Sequence, residues 1–133
     1  MNHESEFINH FISPLKRDRY LTLLQSKKGR RKLLQGLDHL NDLNMRYAHS
    51  LPSNTQTVDE IEVLLKKNGA SDHCHIISAN EELDGSEMLL RDALEQTVGK
   101  GWGTIISCIP GKLAYFEGED ADERYILQPL RSQ

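Results

Sequence analysis

At Ser71 the spacing of apolar residues changes, and this switch divides the 133-residue chain into a helical first part and a strand-rich second part. Before it, Phe7, Ile8, Phe11 and Ile12 recur at three- and four-residue spacing, which predicts a helix over residues 4–12. Ser13-Pro14 reads as an N-cap followed by proline at the first helical position, opening a second helix that reaches about Gln25. A third helix carries Leu33, Leu34, Leu37, Leu40 and Leu43, weakened at Gly36 by up to about 1 kcal/mol relative to alanine. Residues 44–56 are polar, with Pro52, Ser53 and Asn54, and predict a loop. Thr57 and Glu60 then form a capping box at the head of a fourth helix with Val58, Ile61, Leu64 and Leu65 on its buried stripe. Lys66 and Lys67 complement its negative end, and Asn68-Gly69 supplies the stop.

After the switch, residues 73–79 read as a strand and 80–85 as an acidic turn. Residues 86–98 read as an amphipathic helix ended by Gly99. Residues 104–109 and 112–117 read as strands joined by a type II turn at Pro110-Gly111, and 123–130 as a last strand with Pro129 near its end. In the order β-α-β-β-β, the helix is a right-handed crossover between parallel strands if the first two strands share a sheet. The expected fold is therefore α+β, with about four N-terminal helices followed by a mixed four-stranded sheet with helices on one face. One domain over residues 1–133 accommodates it; a helical subdomain 1–50 and a sheet subdomain 57–133 is the alternative division.

Charge is sorted along the chain. The net charge of −4 combines −2 over residues 1–15, a local +7 over residues 16–32 and −9 over residues 33–133. Lys16, Arg17, Arg19, Lys27, Lys28, Arg30, Arg31 and Lys32 face Asp18 alone, whereas residues 117–123 carry Glu117, Glu119, Asp120, Asp122 and Glu123. Such separation bears on partners rather than on fold. Glu4 and Glu6 stand where an export signal would carry lysines, and no apolar run approaches the ~18–20 residues of a membrane span. These features lead to the expectation of a cytoplasmic protein without membrane contact. Cys74 and Cys108 are too few for a disulfide framework and read as two buried reduced thiols.

Motifs for chemistry are sparse. His73 and His75 lie two apart in a strand, so both imidazoles face one side; they are weak metal candidates for want of a third patterned ligand. Asn80, Glu82, Asp84 and Gly85 match the start of an EF-hand loop, but Arg91 occupies the position that needs a bidentate glutamate. Gly99, Gly101 and Gly103 follow a helix and open a strand, the reverse of a dinucleotide loop, so no cofactor is expected there. Trp102 within that loop reads either as an exposed recognition aromatic or as a cap on the core. A polar crevice is expected at Ser78, Asn80, Glu82, Asp84 and Ser86, where the first strand meets the helix N-terminus. His10, His39 and His49 are scattered over the helical half without a nucleophile in a telling context.

Three functions are compatible with this pattern. The leading one is a small, cytoplasmic, non-enzymatic module that binds a protein partner through complementary charge, using Glu117, Glu119, Asp120, Asp122, Glu123 and Trp102. Small acidic inhibitors and toxin-neutralising immunity proteins share its compositional profile. The alternative is nucleic-acid binding through residues 16–32, whose helix, short turn and basic helix resemble a helix-turn-helix layout. The third is a small metal-dependent hydrolase using His73 and His75. A homo-oligomer is compatible with all three.

Overall fold

The computed structural model describes residues 2–52, 55–120 and 122–129; Ser53 and Asn54 of the expected loop and Leu130 of the expected last strand lie outside them. The elements run α1 (His3–Phe11), α2 (Arg17–Leu23), α3 (Lys27–Gln35), β1 (Ala48–Ser50), α4 (Val58–Lys67), β2 (His73–Ser78), β3 (Glu87–Leu89), α5 (Leu90–Thr97), β4 (Thr104–Ile109), β5 (Leu113–Glu117) and β6 (Arg124–Leu127). Short 3-10 turns lie at Pro14–Lys16, Leu37–His39 and Met45–Tyr47.

Local chemistry sets most helix starts. Asn2 accepts the backbone N–H groups of Glu4 and Ser5 at the head of α1, and Ser26 accepts that of Gly29 at the head of α3. The capping box of Thr57 and Glu60 is present at α4 as its sequence predicts. Ser13 behaves differently: its side chain caps nothing, Pro14 opens a 3-10 turn, and α2 begins at Arg17. At Gly36 the third helix stops, and the chain continues as the Leu37–His39 turn.

All six strands form one sheet in the order β1-β6-β5-β4-β2-β3, and every neighbouring pair is antiparallel. This corrects the expected mixed four-stranded sheet with helices on one face in three respects. The first is the crossover. Gly85, at φ +78°, reverses the chain, so Glu87, Met88 and Leu89 extend opposite His75, Cys74 and His73 as β3 instead of opening a helix. The crossover helix α5 therefore joins β3 to β4, which run the same way, and β2 lies between them antiparallel to both.

The second is β1. Ala48, His49 and Ser50 pair with Leu127, Ile126 and Tyr125 in a stretch expected to be loop. At the sheet edge this strand needs no apolar alternation, and two of its three residues are exposed.

The third is the layering. Phe7, Ile8, Phe11 and Ile12 around α1, with Leu33 of α3, pack on Ile77, Ile105, Ala114, Phe116 and Leu127. Ile61 and Leu65 of α4 and Leu90, Ala93 and Leu94 of α5 pack on Ile76, Ile106, Tyr115 and Ile126, which point the other way. Helices thus cover both faces, which is why the strands TIISCI and LAYFE read as near-continuous apolar runs. Truncating Phe7, Phe11 or Phe116 to alanine removes a buried ring at a cost of about 3–5 kcal/mol.

Candidate interaction surface

The basic segment divides into residues used inside the molecule and residues left outside it. Arg30 faces inward. Its two terminal nitrogens each lie 2.7 Å from an oxygen of Glu4, and its Nε donates to Asp84 at 2.7 Å. Asp84 also accepts the backbone N–H of Ser78 at 3.0 Å. Arg17 donates from Nε to the carbonyl of Ile12. By contrast Lys16, Arg19, Lys27, Lys28, Arg31 and Lys32 are exposed, and no carboxylate among the described residues pairs with them. On α3, Lys27 and Arg31 are four apart, as are Lys28 and Lys32, so the four form two adjacent outer stripes.

A groove of about 540 Å³ runs beside this face, lined by Lys27, Arg31 and Leu34 of α3, by Asp38, and by Ala79, Glu81 and Asp84 beyond β2. It carries both signs of charge. The polar crevice expected at Ser78, Asn80, Glu82, Asp84 and Ser86 does not form at a helix N-terminus, because β3 intervenes before α5 begins. Asn80 instead folds the turn on itself, accepting the N–H of Glu82, while Asp84 is held by Arg30.

The acidic run is likewise divided. Glu117 is buried at 2% exposure, accepting from the Tyr115 hydroxyl at 2.6 Å and from the Gly99 N–H at 2.8 Å, with Arg124 Nε 3.3 Å away. It belongs to the α4–α5 side of the core and presents nothing to a partner. Burial, reinforced by the Glu117 carboxylate, drives the Tyr115 hydroxyl pKa up, so it serves as a donor. Glu119 and Glu123 gather around His39, at 2.6 Å from Nε2 and 3.5 Å from Nδ1; Asp120 and Asp122 are exposed. Desolvation pulls the His39 pKa down, but the carboxylates of Glu123 and Glu119 outweigh it and hold the value above the ordinary 6.5. Among the described residues no ion pair joins the +7 segment to the acidic run.

Trp102 is half-buried against the α4–α5 core, and its indole N–H is enclosed with no hydrogen-bond partner among the described residues. It caps the core. His73 and His75 do share a face, opposite Leu89 and Glu87, but they serve different ends. His73 is exposed, whereas His75 Nε2 lies 2.8 Å from Glu4 and its ring stacks on His3 at 5.5 Å. His3 Nδ1 in turn meets the buried Ser107 hydroxyl at 2.7 Å. The hydrogen bond with Glu4 raises the His75 pKa against desolvation, while burial and the neighbouring His75 lower that of His3. For Glu4, burial is outweighed by its hydrogen bonds to Arg30 and His75, and the carboxyl is held at about 2. Arg30, Glu4, His75 and Asp84 thus form one polar network that ties α1 and α3 to the end of β2.

Glu4 and His39 matter to these clusters and carry no local signal in the sequence; only their contacts across long stretches of chain reveal them. Among the described residues no helix is long and apolar enough to cross a membrane. Compared with protein-family models, with curated proteins and with solved structures, the chain has no match.

Proposed function

We propose that this chain is a small non-enzymatic interaction module of the cytoplasm, of the inhibitor or immunity kind, that docks on a protein partner through its charged rim. The observation that carries this reading is the outer face of α3, where Lys27, Lys28, Arg31 and Lys32 are exposed and form no ion pair among the described residues. Four unpaired cations on one short helix repel each other unless an acidic surface meets them. The adjoining groove argues for protein over nucleic acid, because Glu81 lines it together with Lys27 and Arg31 and would repel a run of phosphates. A protein surface can match both signs at once.

The test is capture from source-cell extract at low and high salt, with the K27E/K28E/R31E/K32E variant alongside. A partner retained at low salt, released at high salt and lost from the variant supports the reading. Equal capture by the variant, or background alone at low salt, overturns it. A gel shift with duplex DNA decides the alternative: retention that the same four changes abolish transfers the face to nucleic acid.

A further inference from the structure

We propose that His39, Asp120 and Glu123 form a binding site for one divalent transition-metal ion of the zinc class. The site lies where the Leu37–His39 turn meets the loop between β5 and β6. One ligand atom from each of the three residues lies within 4.8 Å of the other two. Two ligands on one tetrahedral zinc stand about 3.4 Å apart, given bonds near 2.1 Å, so modest side-chain rotation closes the set. The donors are mixed, one imidazole nitrogen and two carboxylate oxygens, a combination that favours zinc, cobalt or manganese over the all-oxygen shells of calcium and magnesium.

Two features distinguish this cluster from an ordinary acidic loop. The first is the orientation of the imidazole. Its Nδ1 faces Glu123 at 3.5 Å, while its Nε2 lies 2.6 Å from Glu119. A metal at the Nδ1 side leaves Nε2–H donating to a carboxylate, the outer-shell partnership that fixes the tautomer of metal-bound histidines. The second is the frame. The Glu119 N–H donates to the Asp38 carbonyl at 2.8 Å, and the Asp38 carboxylate accepts the Gly103 N–H at 2.6 Å. The Glu123 N–H donates to the Asp120 carbonyl at 3.0 Å. These bonds position both segments without using the ligand atoms of His39 or Asp120. Three carboxylates, Glu119, Asp120 and Glu123, gather at one imidazole there, leaving an excess of negative charge that a dication neutralises.

The test is calorimetric titration of the full chain with zinc chloride, with visible spectra of the cobalt form as a second readout. The expected result is one equivalent bound and cobalt bands that indicate nitrogen and oxygen ligands. His39→Gln, and the pair Asp120→Asn with Glu123→Gln, should each weaken binding at least tenfold; Glu119→Gln should weaken it about tenfold through the imidazole. Circular dichroism without metal should match the parent, because His39, Asp120 and Glu119 are exposed and Glu123→Gln keeps the oxygen that accepts the Asp120 N–H. His73→Gln should change nothing. Binding by His39→Gln as tight as the parent overturns the site, as does loss of binding in His73→Gln or no zinc bound below about 1 mM.

Discussion

Arg30 grips Glu4 with both terminal nitrogens, each 2.7 Å from a different carboxylate oxygen, across 26 residues of sequence. The pair fastens the first turn of α1 to α3, and Asp84, 54 residues beyond, completes the fork. A residue that looks in sequence like one of a basic run is therefore an internal clamp.

Replacing Arg30 with alanine should destabilise the fold by about 2–4 kcal/mol, because it leaves two partly enclosed carboxylates without their partner. Arg31→Ala, one residue along and exposed, should fall within about 0.5 kcal/mol of the parent. Urea denaturation of the two variants checks the contrast. It also bears on binding assays, since any set of substitutions that includes Arg30 confuses lost contact with lost fold.

The same network sets a pH dependence. The folded pKa of Glu4, about 2, lies below its ordinary 4.5, so its stabilisation is complete above 4.5 and is lost as pH falls from there toward 2. The His75 value lies above the ordinary 6.5, so its contribution is complete below 6.5 and is lost as pH rises through the folded value. The pair is strongest between about 4.5 and 6.5. His3 acts in the opposite sense: its lowered value makes its contribution complete above 6.5 and smaller as pH falls below it. Melting temperature against pH should lose its acid limb in part in Glu4→Gln. In His75→Gln the decline above pH 6.5 should flatten; an unchanged alkaline limb in that variant would contradict the assignment.

Gly103 is where the Leu37–His39 turn crosses the start of β4. A Cβ there would overlap the Leu37 carbonyl group and sit 2.5 Å from the Asp38 nitrogen. Both obstacles are backbone and cannot rotate away. Gly103→Ala should therefore cost about 2–3 kcal/mol in chemical denaturation and displace the turn that carries His39. A variant as stable as the parent would show that the two segments separate freely.

Cys74 and Cys108 should resist a thiol reagent such as an aromatic disulfide until the chain unfolds. Both are buried, and burial pushes the Cys74 thiol up to about 12 and raises that of Cys108 further still. Two equivalents of thiol released in urea and none in buffer is the expected stoichiometry. Fast reaction of either in the native protein would contradict their enclosure.

The first and fourth helices were legible in the sequence because their signals are local: the Thr57–Glu60 box and the three-and-four spacing of α1 each lie within one or two turns. Sheet topology was not. Residues 86–89 fit a helical stripe as well as a short strand, and only pairing with His73, Cys74 and His75 selects the strand. Ala48, His49 and Ser50 carry no strand pattern because their stability comes from the backbone of β6. Charge was legible as composition but not as placement. Glu117 and Arg30 share the residue types of their neighbours, yet one lies in the core and the other in a clamp, decided by residues far along the chain. His39 draws its meaning from a loop that the linear order leaves remote.

Because helices cover the sheet on both sides, β4 and β5 offer no open platform on which a guest could lie. On the proposed reading, a partner is met at the periphery, by the outward flanks of helices and by the connections at the strand tips. Selection acting on recognition can therefore alter α3 or the β5–β6 loop while the interior stays constant, which leaves the molecule free to change what it meets without refolding.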